Sequence, residues 1–432
     1  MRLPEKAPKI DTAKLAEFPP ELIVDSNFQK FLIRCNQEYV HWAVLKRKKI
    51  PQEIKPDVVW TILKIIRRSQ YRSLNFGKWA FNYFLSDQSL RQLHFLDKGA
   101  AGHLQAGSTT MNVEGKERYI ISSLMEEAIA SSQLEGAATT RKVGKKLLKL
   151  GKKPKSYSDR MIINGYKTMQ KIITMKDKKI TAEQILQLQK EITEGTLKDE
   201  EDSGKFRDTN GVIVGDVTYA DNIYHHPPNF KEIPKLMEDF CNFASEDTDE
   251  FIHPIIKGII LHFLIGYIHP FNDGNGRTAR TIFYWHVLSR GYWLFEFMAV
   301  SRILLRSKKK YDLAYLYTET DENDLTYFIN YNLKSIEEAL NAMEKYISRK
   351  QNEQSDALKL VEEIKSINLR QADILREFLL HPHKSFTIHE IMSQYGVVYQ
   401  TARTDLIELE KLEIISKVRV KKKYVYKLSE LT

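Results

Sequence analysis

At 432 residues the chain is longer than one ordinary hydrophobic core encloses, so two or three domains are expected. Hydrophobic residues at 42% and charged residues at 28% exclude a fibrous or disordered chain, and a net charge of +10 points to acidic ligands without choosing between nucleotide and nucleic acid. Cys35 and Cys241, with no CxxC, exclude a disulfide framework and a zinc site.

The opening MRLPEKAPKID has no apolar signal-peptide region, so a cytoplasmic protein is expected. Residues 1–110 alternate apolar and charged positions at helical spacing. In PDVVWTILKIIRRS (56–69), Val59, Ile62, Leu63 and Ile66 are expected to share the buried face. GSTTMNVEG (107–115) reads as a loop or short hairpin. A helix follows over about 117–134, with Gly136 as its stop. The stretch 141–160 holds nine Lys/Arg against Asp159 alone and reads as a solvated helix face plus loop.

Residues 181–198 and 230–245 read as helices. Between them, KFRDTNGVIVGDVTYADNIYHHPP (205–228) mixes β-branched and aromatic residues with turn formers, which predicts a small hairpin over about 211–226. Residues 251–345 return to helix. Their longest apolar run, 258–268, is too short to span a bilayer and is interrupted by His262. Polar SRKQNEQSDALKL (348–360) is the linker candidate, part of it helical.

The last 65 or so residues predict three helices, 368–380, 387–396 and 398–413, then two strands joined by a basic hairpin over 414–428. That order resembles the winged-helix variant of the helix-turn-helix family, with Gly396 in the turn. Its third helix would offer Tyr399, Gln400, Arg403 and Thr404 to a DNA groove, and the wing's Lys417, Arg419, Lys421, Lys422 and Lys423 suit phosphate contacts. Winged helices also bind protein or space dimers, so both uses stay open.

The chemistry concentrates in HPFNDGNGRTAR (269–280), set between two helical runs. Gly274 and Gly276 let a backbone turn its N–H groups around an anion, and the helix that follows favours negative charge at its start. Arg277 and Arg280, three residues apart, project from one helix face beside that site. Together they make a di- or triphosphate cradle without the GxxxxGK[ST] pattern, which the chain lacks. Asp273 at the mouth is placed to hold Mg²⁺ together with phosphate oxygens. His269 is placed to take a proton from an incoming hydroxyl, and Phe271 to anchor the loop in the core. Burying so much charge without a ligand would be costly, so packing alone does not explain the set.

The run matches HPFx[DE]GNGRxxR and so resembles the Fic (Fido) family at every defined position. The likeness extends over about 116–345, through GKFR (204–207), the HHPP (225–228) that ends the hairpin, and IHP (252–254). The resemblance implies a mainly α fold: an N-terminal helical domain (1–115), a Fic core (116–345) with its catalytic part at about 181–335, a linker (346–365) and a winged helix (366–432). It implies transfer of AMP from ATP to a Ser, Thr or Tyr hydroxyl of a protein target, itself included. His269 would be the base and Asp273 the Mg²⁺ ligand. Gly274, Asn275 and Gly276 would lie on the α-phosphate, Arg277 and Arg280 on the β- and γ-phosphates, and Tyr311 near the nucleoside. An edge at Val212, Ile213, Val214 and Gly215 would pair with an extended target segment.

Upstream, SSQLEG (131–136) resembles the family's inhibitory [ST]xxxE[GN] motif through Ser131, Glu135 and Gly136. The resemblance implies that Glu135 pairs with Arg280 and takes the space of the γ-phosphate, or supports removal of AMP. Alternatives are a DNA-binding regulator whose core senses nucleotide, and transfer of other phosphate-linked groups. A homodimer is possible, and no membrane is expected.

Overall fold

The computed structural model describes residues 3–101, 113–215, 223–245, 250–364, 366–380, 385–420 and 423–429. The chain divides into two compact units, residues 1–145 with 153–340 and residues 146–152 with 341–432.

The first unit opens with α1 (Ser26–Gln37), α2 (Trp42–Leu45) and α3 (Pro56–Arg68). Asp25 caps α1 by accepting from Phe28 N at 2.7 Å, and Pro56 pre-sets the first turn of α3. The buried stripe of α3 differs from the hydropathy reading. It runs through Val59, Trp60, Leu63, Lys64 and Arg67, while Ile66 is 37% exposed. The helix turns two cations inward because each has acceptors waiting. Lys64 Nζ lies 2.9 Å from Asp321 Oδ1, and Arg67 donates to the carbonyls of Cys35 and Val40 at 3.2 and 3.1 Å.

A hairpin absent from the helical reading of residues 1–110 follows: β1 (Arg72–Phe76) and β2 (Trp79–Tyr83). Phe76 pairs with Trp79 across a two-residue loop, with Gly77 at φ +54°. Alternating aromatics around that glycine, RSLNFGKWAFNY, are the signal the helical reading passed over.

Then come α4 (Asp87–Leu96) and α5 (Val113–Leu134), which starts four residues earlier than expected; residues 107–112 of the expected loop lie outside the described residues. The order continues α6 (Arg141–Lys149), α7 (Tyr157–Thr174), α8 (Ala182–Thr193), the strand pair β3 (Val214–Gly215) and β4 (Ile223–His225), and α9 (Ile233–Ser245). Ser156 and Thr181 cap α7 and α8 through their hydroxyls.

At the centre lie α10 (Pro254–Ile268) and α11 (Asn275–Ser289), each buried on nearly every face. Of the two, α10 is apolar nearly all round, and a short helix of that kind has only one stable place, the middle of a helical core. IHP is the start of α10: His253 Nδ1 accepts from Ile255 N at 3.2 Å, and Pro254 holds the first helical position. The unit closes with α12 (Val300–Arg306), α13 (Lys308–Thr320) and the first part of α14 (Thr326–Glu363). The polar stretch read as a linker, 348–360, lies inside α14.

The second unit holds α15 (Leu369–Leu380), α16 (Ile388–Tyr395), α17 (Tyr399–Lys411), β5 (Ile415–Val420) and β6 (Lys423–Leu428). Its core gathers Leu375, Phe378, Phe386, Ile391, Leu406, Leu409, Ile415 and Tyr426. A capping box of Thr387 and Glu390 starts α16, and Gly396 at φ +65° ends it. The fold is mainly helical, as expected, with three two-stranded sheets among the described residues. No described helix is long and apolar enough to cross a membrane.

Candidate active site

The junction between α10 and α11 is where the sequence placed the chemistry. His269 ends α10 in a left-handed conformation, φ 49° and ψ 58°, with its N–H still bonded to Ile265 O at 2.9 Å. That geometry costs a non-glycine residue about 1–2 kcal/mol, so the surroundings must hold it. Arg207 does so. Its N–H bonds Pro270 O at 2.9 Å, and its Nε bonds His269 O at 2.9 Å. The same guanidinium donates to Thr209 O at 2.8 Å and Pro228 O at 2.5 Å, tying both ends of the hairpin segment to the loop. GKFR was noted in the sequence without a role for this arginine; a buried cation surrounded by carbonyls is invisible to periodicity.

His269 Nδ1 faces Gly266 O at 3.2 Å. A carbonyl only accepts, so Nδ1 carries the hydrogen and Nε2 presents a lone pair. Burial is the main reason its pKa is pushed down to about 4; the Gly266 bond opposes this, and the neighbouring His225 reinforces it. The imidazole is neutral at ordinary pH and ready to accept a proton.

Phe271 is fully buried, as expected. The side chain of Asn275 departs from its expected place on the α-phosphate. Its Oδ1 accepts from Phe271 N at 2.9 Å and its Nδ2 donates to Phe271 O at 2.7 Å, closing the turn on itself. What Asn275 can offer an anion is its main-chain N–H. Gly274, at φ +88°, begins α11 with no side-chain cap, and a Cβ there would meet Thr193 Cγ2 at 2.8 Å. Backbone conformation and the close approach of α8 both require glycine. An uncapped helix start is a ready anion site.

Asp273 stands at the mouth, 45% exposed, with one oxygen on Gly274 N and 3.4 Å from Arg277 Nη2. A lone, half-exposed carboxylate beside an anion site fits Mg²⁺, which takes one or two protein carboxylates and draws its remaining ligands from phosphate and water. Arg277 itself is buried; Nη1 donates to Ile192 O at 2.9 Å, while Nε has no partner among the described residues. A buried donor left open beside a helix start fits an anion.

Arg280 is held differently. Its Nε donates to Ser131 Oγ at 2.9 Å, Nη2 to Ser131 O at 3.0 Å and Nη1 to Glu135 Oε1 at 2.9 Å. Every donor group of this guanidinium is engaged by the end of α5. Burial pushes the Glu135 carboxyl up, but Arg280 and then Arg277 outweigh it and hold the group below the usual carboxylate range. A Cβ added at Gly276 would fall on the Glu135 carboxylate, so the carboxylate sits directly over the first turn of α11. Gly136, at φ +93°, then takes the chain away from α5.

A residue the sequence did not single out pins α5 in this position. Glu127, two turns before Glu135, is buried and accepts from Ser301 N at 2.9 Å, from the Ser301 hydroxyl and from Tyr284 OH at 2.8 Å. Those partners lie in α12 and α11.

Tyr311, expected near the nucleoside, is buried with its hydroxyl on His262 Nε2 at 2.8 Å and its ring 5.4 Å from that of Tyr315. Its ring belongs to the core and is not offered to a base. Burial pushes its phenol up to about 12, opposed by nearby Arg280, so Tyr311 backs that arginine.

Among the described residues of the expected hairpin, Val214 faces His225 and Gly215 faces Ile223, with a bulge between them. Val212 and Ile213 precede the strand, Ile213 being 50% exposed, and residues 216–222 lie outside the described residues. In the second unit Tyr399, Gln400, Arg403 and Thr404 are all exposed on α17. Lys417 and Arg419 lie on β5 and Lys423 starts β6, while Lys421 and Lys422 lie outside the described residues.

Residues 179–287 match the profile of the Fic/DOC family, and residues 370–420 match a DeoR-like helix-turn-helix domain. The chain is 24% identical over 240 residues to a protein adenylyltransferase Fic from Nematostella vectensis, covering 55% of this chain and 52% of that protein. It is 32% identical over 113 residues to the protein of the same name from Drosophila willistoni, covering 26% of this chain and 20% of that one. The chain thus spans about half or less of the curated relatives it matches. Fic-1 from C. elegans shares the fold, with a TM-score of 0.52, 17% identity, and coverage of 76% of this chain and 85% of that one. Residues 179–287 are thus similar to the Fic/DOC family, and residues 370–420 to a DeoR-like helix-turn-helix domain.

Proposed function

We propose that the chain is a self-restrained protein adenylyltransferase, moving AMP from ATP to a Ser, Thr or Tyr hydroxyl of a protein target. The observation that carries this reading is the convergence, on one helix start, of a neutral His269 with a free Nε2, uncapped main-chain N–H groups, Arg277 and Arg280. The main-chain groups at Gly274, Asn275 and Gly276 would hold the α-phosphate, and the two guanidinium groups the β- and γ-phosphates. His269 Nε2 takes the hydroxyl proton as the hydroxyl oxygen bonds to the α-phosphorus. The bond from that phosphorus to the bridging oxygen breaks, and diphosphate leaves with the electron pair. Little covalent work is asked of the protein; it positions the reactants and neutralises their charge. Asp273 would hold Mg²⁺, which would supply charge neutralisation at the diphosphate when bound.

With Glu135 on Arg280 and over Gly276, a γ-phosphate has neither its cation nor its space, so the resting chain is mostly off. Glu135→Gly, incubated with ATP and cell lysate, should produce proteins heavier by one AMP on a hydroxyl residue, read by mass spectrometry. Adducts absent from both lysate and chain, with ATP binding intact, would end this reading.

A second reading rests on the exposed Tyr399, Gln400, Arg403 and Thr404 within the helix-turn-helix match: the second unit binds DNA and the Fic core regulates it. Salt-dependent retardation of duplex DNA by the full chain supports that use, and its absence at low salt removes it.

A further inference from the structure

β4 is one wall of the segment proposed to present the target, and it ends on His225, which is 8% exposed. Its two ring nitrogens face two oxygens. Nε2 is 2.7 Å from the main-chain carbonyl of Tyr267, near the end of α10, and Nδ1 is 2.7 Å from Glu319 Oε2 in α13. The ring also packs 4.9 Å from that of Tyr267. A carbonyl cannot donate, and neither can an ionised carboxylate, whereas a neutral imidazole owns a single N–H. Two short contacts to acceptors are satisfied together only when both nitrogens carry hydrogen, and Glu319 is the carboxylate that compensates the charge.

We propose that His225 is a positioning residue in the imidazolium form, a charged clasp that fixes β4 to the residue two positions before the base His269. This deepens the adenylyltransferase reading and, for its catalytic consequence, rests on it; the proton count at His225 does not. The clasp does two things. It sets the depth at which a target strand paired to β3 and β4 meets the imidazole of His269. It also places a fixed positive charge beside His269, which disfavours a second cation there and keeps the base neutral. The groups facing His225 are Glu319 from α13, Tyr267 and His269 from the end of α10, and Arg207, whose bond to Pro228 O anchors the segment just beyond β4. Of these only Glu319 is an anion, so it alone sustains the second hydrogen.

Two measurements test this. In the full chain labelled with 15N-histidine, the spectrum at neutral pH should show one histidine, assigned by its loss in His225→Gln, with both nitrogens protonated. Glu319→Gln offers Nδ1 an amide N–H in place of a carboxylate, so His225 should become a neutral ring protonated at Nε2 alone, with β4 still docked. In the Glu135→Gly background, adding Glu319→Gln should move the acid limb of auto-modification to higher pH, a several-fold loss of rate on that limb with the neutral plateau changed less. If the wild-type ring has a single hydrogen at neutral pH, the proton sits on Glu319 and the clasp is overturned. An unchanged acid limb in a variant whose ring has become neutral overturns the influence on His269. Should Glu135→Gly transfer no AMP at all, the adenylyltransferase reading fails, and the spectra still decide the clasp.

Discussion

The loop His269–Arg280 and the turn Ser131–Gly136 meet at one arginine, yet they are built in different ways. The loop is closed by bonds to the core around it: Asn275 onto both polar groups of Phe271, Arg207 onto the carbonyls of His269 and Pro270, and Arg277 onto Ile192 O. None of these involves α5. The turn meets the loop at Arg280 and over Gly276, with the Glu135 side chain 34% exposed. The loop is over-determined, whereas the proposed restraint rests on the Glu135–Arg280 ion pair, the Ser131 contacts beside it and the Glu127 bonds that hold α5. If the turn is the proposed brake, such a chain would lose its brake without losing its site.

The largest expected effect lies on the loop side. In a Glu135→Gly background, His269→Ala should lower transfer by about 10²–10⁴-fold, the usual worth of a general base, while Mg-ATP affinity stays within a few-fold. Calorimetry for ATP beside a single-turnover rate separates the two. Undiminished transfer would move the base elsewhere. The pH profile sharpens the point. Because the His269 pKa lies near 4 and Glu135 is among the groups that raise it, the acid limb of the Glu135→Gly enzyme should fall at or below that value. A limb close to the ordinary histidine value would mean that the ring is far more solvated than its burial indicates.

Arg280 belongs to the loop and pairs with the turn. Arg280→Ala leaves Glu135 without its main cation. With Glu135 partly exposed, a cost of about 1–3 kcal/mol is expected, below the full penalty for a buried orphan charge. Adding Glu135→Gly should recover much of that stability, because no charge is left unpaired, yet activity should not return, because the γ-phosphate has lost its partner. Urea denaturation and auto-modification, measured on the singles and the double, form a complete cycle. An active double variant would show that Arg280 serves only the brake. The brake should also persist in mild acid. The Glu135 carboxyl is held below its ordinary value, so the stability it contributes is present above the unfolded carboxylate range and is lost only as pH falls through the lower folded value.

How much of this was legible beforehand follows from distance along the chain. HPFNDGNGRTAR is a local device, and twelve consecutive residues declare it. The winged helix was readable for the same reason, with Gly396, the periodic helices and the basic hairpin all close in sequence. What stayed hidden are partnerships between remote positions. Lys64 and Arg67 are buried against Asp321 and the carbonyls of Cys35 and Val40, partners that helical periodicity does not reveal. Arg207, Glu127 and His225 each act by bonding a residue tens of positions away. Tyr311 was misplaced because an aromatic in a helix reads the same whether its ring faces a ligand or Phe328 and Tyr315. Asn275 was assigned to the ligand because a sequence does not say that an asparagine closes its own turn.

Asn275 therefore offers a smaller test of the loop's over-determination. Asn275→Ala removes two hydrogen bonds at once and leaves Phe271 N–H and C=O buried without partners, a cost of about 1–3 kcal/mol. In the Glu135→Gly background the main-chain N–H groups should then be less well aimed, and transfer should fall by about tenfold, with ATP affinity falling alongside. Asn275→Asp keeps the bond from Phe271 N and loses the one to Phe271 O, so it should fall between the two. An Asn275→Ala variant with full stability would mean that the loop holds its shape from Gly274 and Arg207 alone.

The smallest effect on catalysis is expected from the second unit. The second unit has a hydrophobic core of its own, and the motif residues all lie in the first. Deleting residues 366–432 in the Glu135→Gly background should leave auto-modification within about twofold, since positioning and charge neutralisation are complete without it. What it should change is selection. If the unit binds DNA, Lys417 and Arg419 on the wing should weaken affinity equally for all sequences when replaced by alanine, and reduce its salt dependence. Gln400→Ala and Arg403→Ala should instead alter sequence preference, because an exposed helix face can reach base edges. Retardation of several unrelated duplexes at two salt concentrations reads both effects. A truncated chain that is folded, as judged by circular dichroism, yet no longer modifies itself would place the second unit inside the catalytic assembly.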